Sequence, residues 1–102
     1  MFSADVPESF QREYGSTLTE WNRSLPGAIG KQRIEPVADP GATVHLVDGG
    51  RLILQWQVLP DRQIALARLP RLHVSFRFEA VEATARSAFM RHFDLFMQRG
   101  GG

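Results

Sequence analysis

The chain has 102 residues, of which 43% are hydrophobic and 23% are charged, and its formal net charge is +1. This composition is typical of one soluble globular domain, and a chain of this length buries enough surface to fold without a disulfide or a structural metal. The absence of cysteine excludes thiolate catalysis and cysteine zinc sites. The acidic first residues match neither a signal peptide nor a membrane span. We therefore predict a single cytoplasmic domain over residues 1–102, with no membrane partner.

The N-terminal segment has the pattern of an amphipathic helix from about Val6 to Ser24. Asp5 and Glu8 have the spacing of a capping box, and Pro26 with Gly27 provides a stop signal. Apolar residues recur every three or four positions along one stripe, namely Phe10, Tyr14, Leu18, Trp21 and Leu25. We expect this stripe to pack into the core, as aromatic stripes commonly do.

The centre of the chain alternates between apolar and polar residues, which predicts strands. The predicted strands are residues 43–47, 51–59, 63–69 and 71–78, with residues 31–37 as a fifth, edge strand. Such alternation is typical of an antiparallel sheet that is covered on one face only. Asp48-Gly49-Gly50 provides a tight hairpin that pairs residues 43–47 with residues 51–59. Turns are predicted at residues 60–62 and at Pro70.

A second amphipathic helix is predicted from Val81 or Glu82 onward, with Gly100 as its C-cap. Its apolar stripe is wide and contains Phe89, Met90, Phe93, Phe96 and Met97. The stripe is either wholly core, or it covers the sheet and leaves adaptable apolar surface for a partner. The fold prediction is therefore α+β: a four- or five-stranded antiparallel meander with N-terminal and C-terminal helices packed on it, in the order α-β-β-β-β-α.

The sequence contains no recognisable catalytic constellation. The three histidines, His45, His73 and His92, lack the local spacing of metal ligands. The glycines at positions 49 and 50 join two strands, whereas a phosphate-binding loop joins a strand to a helix. No serine or carboxylate stands in a triad or paired-acid context. We expect a protein that is not an enzyme and that has no metal and no cofactor.

The first functional hypothesis is a small non-catalytic protein-interaction module, which includes the case of a homodimer. Its candidate interface is the stripe of Phe89, Met90, Phe93, Phe96 and Met97, with Ile53 as a further exposed apolar residue on the sheet.

The second hypothesis is weak binding of nucleic acid or another anion on the outer face of the sheet. Residues before Arg51 include seven acids and four bases, whereas the rest of the chain has eight arginines and four acids. The candidate anion-binding residues on this face are Arg51, Arg71, His73 and Arg77. The strand aromatics Trp56, Phe76 and Phe78 are predicted to point inward, so base stacking on the face is not expected.

The C-terminal tail provides a third hypothesis. Arg99-Gly100-Gly101 resembles the ends of ubiquitin and its relatives, and the terminal Gly-Gly resembles that of the small bacterial sulfur carriers. The resemblance implies a flexible tail at residues 99–102 whose terminal carboxylate, at Gly102, is adenylated by an activating enzyme. The alternative is a helix C-cap followed by a frayed end. Those families have a β-grasp order with a central helix, whereas this chain is predicted to begin and end with helices.

Overall fold

A computed structural model describes residues 6–35 and 40–99. The elements are β1 (Ser9–Tyr14), α1 (Leu18–Ile29), β2 (Arg33–Glu35), β3 (Gly41–His45), β4 (Arg51–Ile64), β5 (Ala67–Glu79) and α2 (Ala83–Arg99). The strands form one antiparallel sheet in the order β1-β5-β4-β3-β2. The predicted α+β class is confirmed. The predicted order α-β-β-β-β-α is wrong, because a strand precedes the first helix.

The predicted helix from Val6 to Ser24 is replaced by β1 and the first part of α1. In β1, Phe10 and Tyr14 pack against the core, and the Phe10 ring stacks on Phe76 at 4.7 Å between centroids. Arg12 lies between them and forms an ion pair with Asp94 of α2. A four-residue spacing fits one stripe of a helix and also one face of a strand. This segment forms a strand rather than a helix because β1 pairs with β5.

The capping box of the first helix lies further along the chain than predicted. Thr17 Oγ1 accepts a hydrogen bond from Glu20 N at 3.1 Å, and Glu20 Oε1 accepts one from Thr17 N at 3.0 Å. Glu8 precedes β1, and Asp5 lies outside the described residues. The reciprocal bonds satisfy two backbone groups, which fixes the start of α1.

The predicted stop at Pro26 is also wrong, because α1 continues to Ile29. Pro26 removes one backbone hydrogen bond from the helix. The additional turn buries Ala28, which is 0% exposed, and Ile29, which is 3% exposed. Burial of this size offsets a lost hydrogen bond.

The β3–β4 hairpin is confirmed. Residues Gly41–His45 pair with residues 51–55, and Val44 lies opposite Leu52. Gly49 and Gly50 have φ angles of 107° and 80°, and a Cβ at position 50 would overlap the Ala80 carbonyl. Glycine is therefore required at position 50. β2 lies within the predicted edge strand, residues 31–37, of which 36 and 37 are outside the described residues.

The predicted turns at residues 60–62 and at Pro70 are wrong, and so is the separate strand at residues 63–69. β4 and β5 instead form one long hairpin whose two-residue loop is Ala65-Leu66. The pairing of Leu59 with Arg71 is followed by that of Arg62 with Leu69. Two residues of β4 therefore face one of β5, which is a β-bulge. The bulge lets Pro60 stay inside a strand.

Both helices cover the same face of the sheet. Trp21 of α1 contacts Trp56 and Phe93, with ring centroids 5.6 and 6.1 Å apart, and Phe93 of α2 also contacts Phe76. The inward residues of the central strands include Leu52, Leu54, Trp56, Leu72, Val74, Phe76 and Phe78, all buried. The opposite face of the sheet has no helix over it in the described ranges. Neither helix there is long and apolar enough to cross a membrane.

Candidate protein-interaction surface

The far end of the β4–β5 hairpin extends beyond its neighbouring strands. Pairing of β1 with β5 ends at Tyr14 and Leu72, and pairing of β3 with β4 ends at Gly41 and Gln55. In the described part of the chain, residues 58–70 therefore form a two-stranded ribbon, here called the arm. A two-stranded ribbon without further packing is marginally stable in water.

The arm contains most of the exposed large apolar side chains. The exposed fractions are 58% for Val58, 53% for Ile64, 100% for Leu66 and 43% for Leu69. Across the rest of the described residues, Val47 and Leu95 are the comparable cases. Exposed apolar side chains that are grouped on one element are a common mark of an interaction site.

The bulge determines which arm residues share a face. Directly paired residues project from the same side of a sheet. Arg62 pairs with Leu69 and Ile64 pairs with Ala67, so Leu69 and Ile64 both project from the side that the helices leave uncovered. In a strand without the bulge, Ile64 would project toward the helix-covered side. Leu59, Ile64 and Leu69 therefore form one apolar row, here called the outer stripe.

Glu13 of β1 lies beside the outer stripe and binds two arginines. Arg71 donates from Nε to Glu13 Oε2 and from Nη2 to Glu13 Oε1, both at 3.0 Å. Arg62 Nη2 lies 3.6 Å from Glu13 Oε2, which places Arg62 on the same face. The hydrogen bond from Arg71 lowers the pKa of Glu13 below its ordinary value, and the charges of Arg62 and His73 add to the effect. The carboxylate is therefore ionised at neutral pH.

The predicted anion-binding residues all lie on the uncovered face, as the alternation predicts, but Arg51 and Arg71 are eight register positions apart. Arg51 donates to Glu79 at 2.7 Å, Arg77 also pairs with Glu79, and Arg71 pairs with Glu13. His73 Nε2 lies 3.0 Å from Gln11 Oε1. The arginine bonds lower the pKa of Glu79 as well, with Arg51 the larger cause. Each arginine of this set thus has a carboxylate partner, which reduces the positive potential of the face.

The predicted protein interface on α2 is mostly core. Phe89, Met90 and Phe93 have 7%, 2% and 0% of their surfaces exposed, and Phe96 and Met97 pack against the same core as partly buried residues. The stripe is wide because α2 contacts both the sheet and α1. Three of its five residues are thus unavailable to a partner. Ile53, the other apolar candidate, is half-buried on the uncovered face.

The histidines lie in three different environments. His45 approaches Glu35 at 3.3 Å, His73 approaches Gln11, and His92 approaches the Gly27 carbonyl at 3.1 Å. In residues 6–35 and 40–99, no group of three or more His, Asp or Glu side chains is placed to hold a metal ion.

A half-open cleft of ≈ 420 Å³ lies between the end of α1, the β3–β4 turn and α2. Its lining includes Ile29, Lys31, Leu46, Phe89 and His92.

Sequence reasoning missed the arm. A signal for it was present: Pro60 and Pro70 stand almost symmetrically about Ala65-Leu66. The carrier-type tail at Gly100, Gly101 and Gly102 lies outside the described residues.

Comparisons of the chain with protein-family models, with curated proteins and with solved structures gave no match.

Proposed function

We propose that the chain is a small non-catalytic protein-interaction domain that binds its partner through the arm. The observation that carries this proposal is the exposure of Val58, Ile64, Leu66 and Leu69 on one projecting ribbon. Exposed leucine and isoleucine make a two-stranded ribbon prone to association. A partner that covers these side chains stabilises the arm and removes this exposure.

The arm is suited to binding through side chains rather than through backbone pairing. Pro60 and Pro70 stand on opposite strands near its base, and each lacks the backbone N–H that a pairing strand needs. An added edge strand is therefore interrupted on either side. The outer stripe, in contrast, offers three apolar residues on one face.

A protein partner fits the arm better than nucleic acid. Arg62 lies near Glu13, and Arg68 lies 4.0 Å from Asp61, so both arm arginines have an acidic neighbour. Nucleic-acid affinity depends mainly on cations that neutralise phosphates. Residues 58–70 contain no aromatic side chain, so the arm provides no surface for base stacking.

The test is partner capture with matched variants of the full-length protein. The wild-type protein, Leu66→Asp and Leu95→Asp are tagged at the N-terminus, incubated with native lysate, and compared by quantitative mass spectrometry. Leu66 is fully exposed at the arm tip and Leu95 is half-exposed on α2, so neither change disturbs the core. We expect wild type and Leu95→Asp to recover the same partner protein. We expect Leu66→Asp to fail to recover it.

A nuclease-treated sample separates the two hypotheses. Recovery that resists nuclease and depends on Leu66 supports the proposal. If nuclease treatment abolishes the recovery, the chain binds nucleic acid instead, through the anion-binding residues on the sheet near Arg51 and Arg77. Equal recovery by all three proteins shows that the arm is not the binding element.

A further inference from the structure

We propose that the chain binds a free apolar amino acid in the half-open cleft between the end of α1, the β3–β4 turn and α2. The volume of the cleft, ≈ 420 Å³, lies within the range of about 300–1,000 Å³ that is typical of small-molecule sites. The inference is independent of the arm, because β4 begins at the cleft and ends in the arm.

The buried part of the cleft lining is apolar. Ile29 of α1 and Phe89 of α2 line the cleft and are 3% and 7% exposed, and Leu46 packs beside them as a partly buried residue. Ala85 and Ala88 of α2 contribute only a methyl group each to the lining. An aliphatic or aromatic side chain that enters the cleft leaves water and contacts apolar atoms, which favours binding.

Hydrogen bonds hold the walls of the cleft in place. Gln32 Oε1 accepts a hydrogen bond from Val47 N at 2.8 Å, which joins the segment after α1 to the β3–β4 turn. His92 Nε2 donates to the Gly27 carbonyl at 3.1 Å, which joins α2 to α1. The cleft therefore exists before a ligand arrives, and binding costs little ordering of the protein.

The exposed part of the lining carries one positive and one negative charge. Lys31 and Asp48 both line the cleft and are both exposed. In residues 6–35 and 40–99 neither side chain has an ion-pair partner, and the two do not pair with each other, whereas most arginines there are paired. Both charges are therefore available to a ligand.

A zwitterion matches this pair of charges better than an anion or a cation. A carboxylate near Lys31 and an ammonium group near Asp48 each make a charge-assisted hydrogen bond. A ligand with only one of these groups pairs with one residue and meets a like charge at the other, which disfavours it. The C-terminal end of α1 at the cleft adds partial negative charge, which also favours an ammonium group. An apolar amino acid combines both charges with an apolar side chain.

Titration of the purified full-length protein, followed by backbone amide NMR, tests the site. The probes are leucine with its analogues isoamylamine, which lacks the carboxylate, and isocaproate, which lacks the ammonium group. Phenylalanine, phenethylamine and hydrocinnamate form the aromatic set. We expect saturable shifts in residues 30–32, 46–49 and 85–92 with at least one of the two amino acids. Its two analogues should bind more weakly by about fivefold or more.

Two amide variants assign the charges. Lys31→Gln and Asp48→Asn should each raise the dissociation constant of the amino acid by about fivefold. In Lys31→Gln the amino acid should lose its advantage over the amine analogue, and in Asp48→Asn its advantage over the carboxylate analogue. Arg33→Gln is the matched control, because Arg33 is exposed two residues after Lys31 and does not line the cleft. It should bind as wild type does.

The outcomes separate this inference from the proposed function. The site is overturned if neither amino acid gives saturable shifts up to its solubility limit. The zwitterion assignment is overturned if an analogue binds wild type as tightly as its parent amino acid, or if both amide variants bind as tightly as Arg33→Gln. Leu66→Asp should bind the amino acid as wild type does, and capture of a protein through Leu66 stands or fails in its own experiment.

Discussion

The ring of Phe96 on α2 lies directly against Gly27 of α1, at a point where any side chain on residue 27 would overlap it. The two helices are therefore in contact at a point where α1 has no side chain. We predict that Gly27→Ala destabilises the fold by about 1 kcal/mol, because an overpacking cost of about 1–3 kcal/mol exceeds the gain in helix propensity of about 1 kcal/mol.

Urea unfolding of four proteins measures this contact. Wild type, Gly27→Ala, Phe96→Leu and the double variant form a double-mutant cycle. The smaller leucine side chain at position 96 should relieve much of the overlap, so the double variant should be more stable than the sum of the single changes predicts. Strictly additive changes would show that the two positions do not interact.

The capping box at Thr17 and Glu20 provides a second prediction. Thr17→Ala removes the oxygen that accepts from Glu20 N and should lower the free energy of unfolding by about 1 kcal/mol. Thr19→Ala, an exposed change in the first turn of the same helix, is the control and should be neutral or slightly stabilising. A Thr17→Ala protein as stable as the control would exclude a role for the cap in stability.

The arm loop provides a third prediction. Ala65 has φ 53°, a left-handed conformation that costs most residues about 1–2 kcal/mol and glycine far less. We expect Ala65→Gly to stabilise the arm by about 0.5–1 kcal/mol after the higher entropy of glycine in the unfolded chain is subtracted. Amide hydrogen exchange in residues 58–70 should slow severalfold.

Ala67→Gly is the control for the arm loop. Ala67 is paired with Ile64 in the ribbon, and glycine weakens a strand. Exchange in the arm should therefore become faster in Ala67→Gly. The prediction fails if both glycine variants change the exchange in the same direction.

The fourth prediction concerns pH. Arginine partners lower the pKa values of Glu13 and Glu79 from the ordinary value of 4.5. Their contribution to stability is therefore complete above pH 4.5 and is lost as pH falls through the folded values. Glu13 is exposed to solvent and Glu79 is partly exposed, so the effect should be small but measurable.

Thermal unfolding from neutral pH to about pH 3 tests the sign of this effect. Wild type should lose stability on acidification, and Glu13→Gln should lose less because one of the two carboxylates no longer titrates. Glu82→Gln, at an exposed position before α2, should follow the wild-type curve. A Glu13→Gln protein with the full wild-type acid dependence would contradict the prediction.

Local patterns were sufficient for the parts of the fold that depend on near neighbours. The alternation of Leu52, Leu54 and Trp56 predicts their burial, and Gly49-Gly50 predicts the β3–β4 turn. The N-terminal strand was missed because the spacing of Phe10 and Tyr14 fits both a helix and a strand. Only the pairing with β5, more than fifty residues away in the chain, distinguishes the two structures.

The candidate site was harder to predict because its defining features are non-local. The face occupied by Arg51 and Arg77 followed correctly from alternation, but their carboxylate partners did not. Glu13 and Arg71 are 58 positions apart, and no sequence spacing indicates their contact. The exposure of Ile64 depends on where β1 and β3 end and on a bulge that shifts the strand by one residue.

The position of β1 at the sheet edge beside β5 also affects the order of folding. β3, β4 and β5 are joined by tight hairpins, whereas β1 pairs with a strand near the other end of the chain. Closing a long loop costs more entropy than closing a hairpin, and pairing of distant segments is slow. During synthesis β1 thus emerges before β5 but docks late. Until β5 has left the ribosome, Phe10 has no strand to pair with.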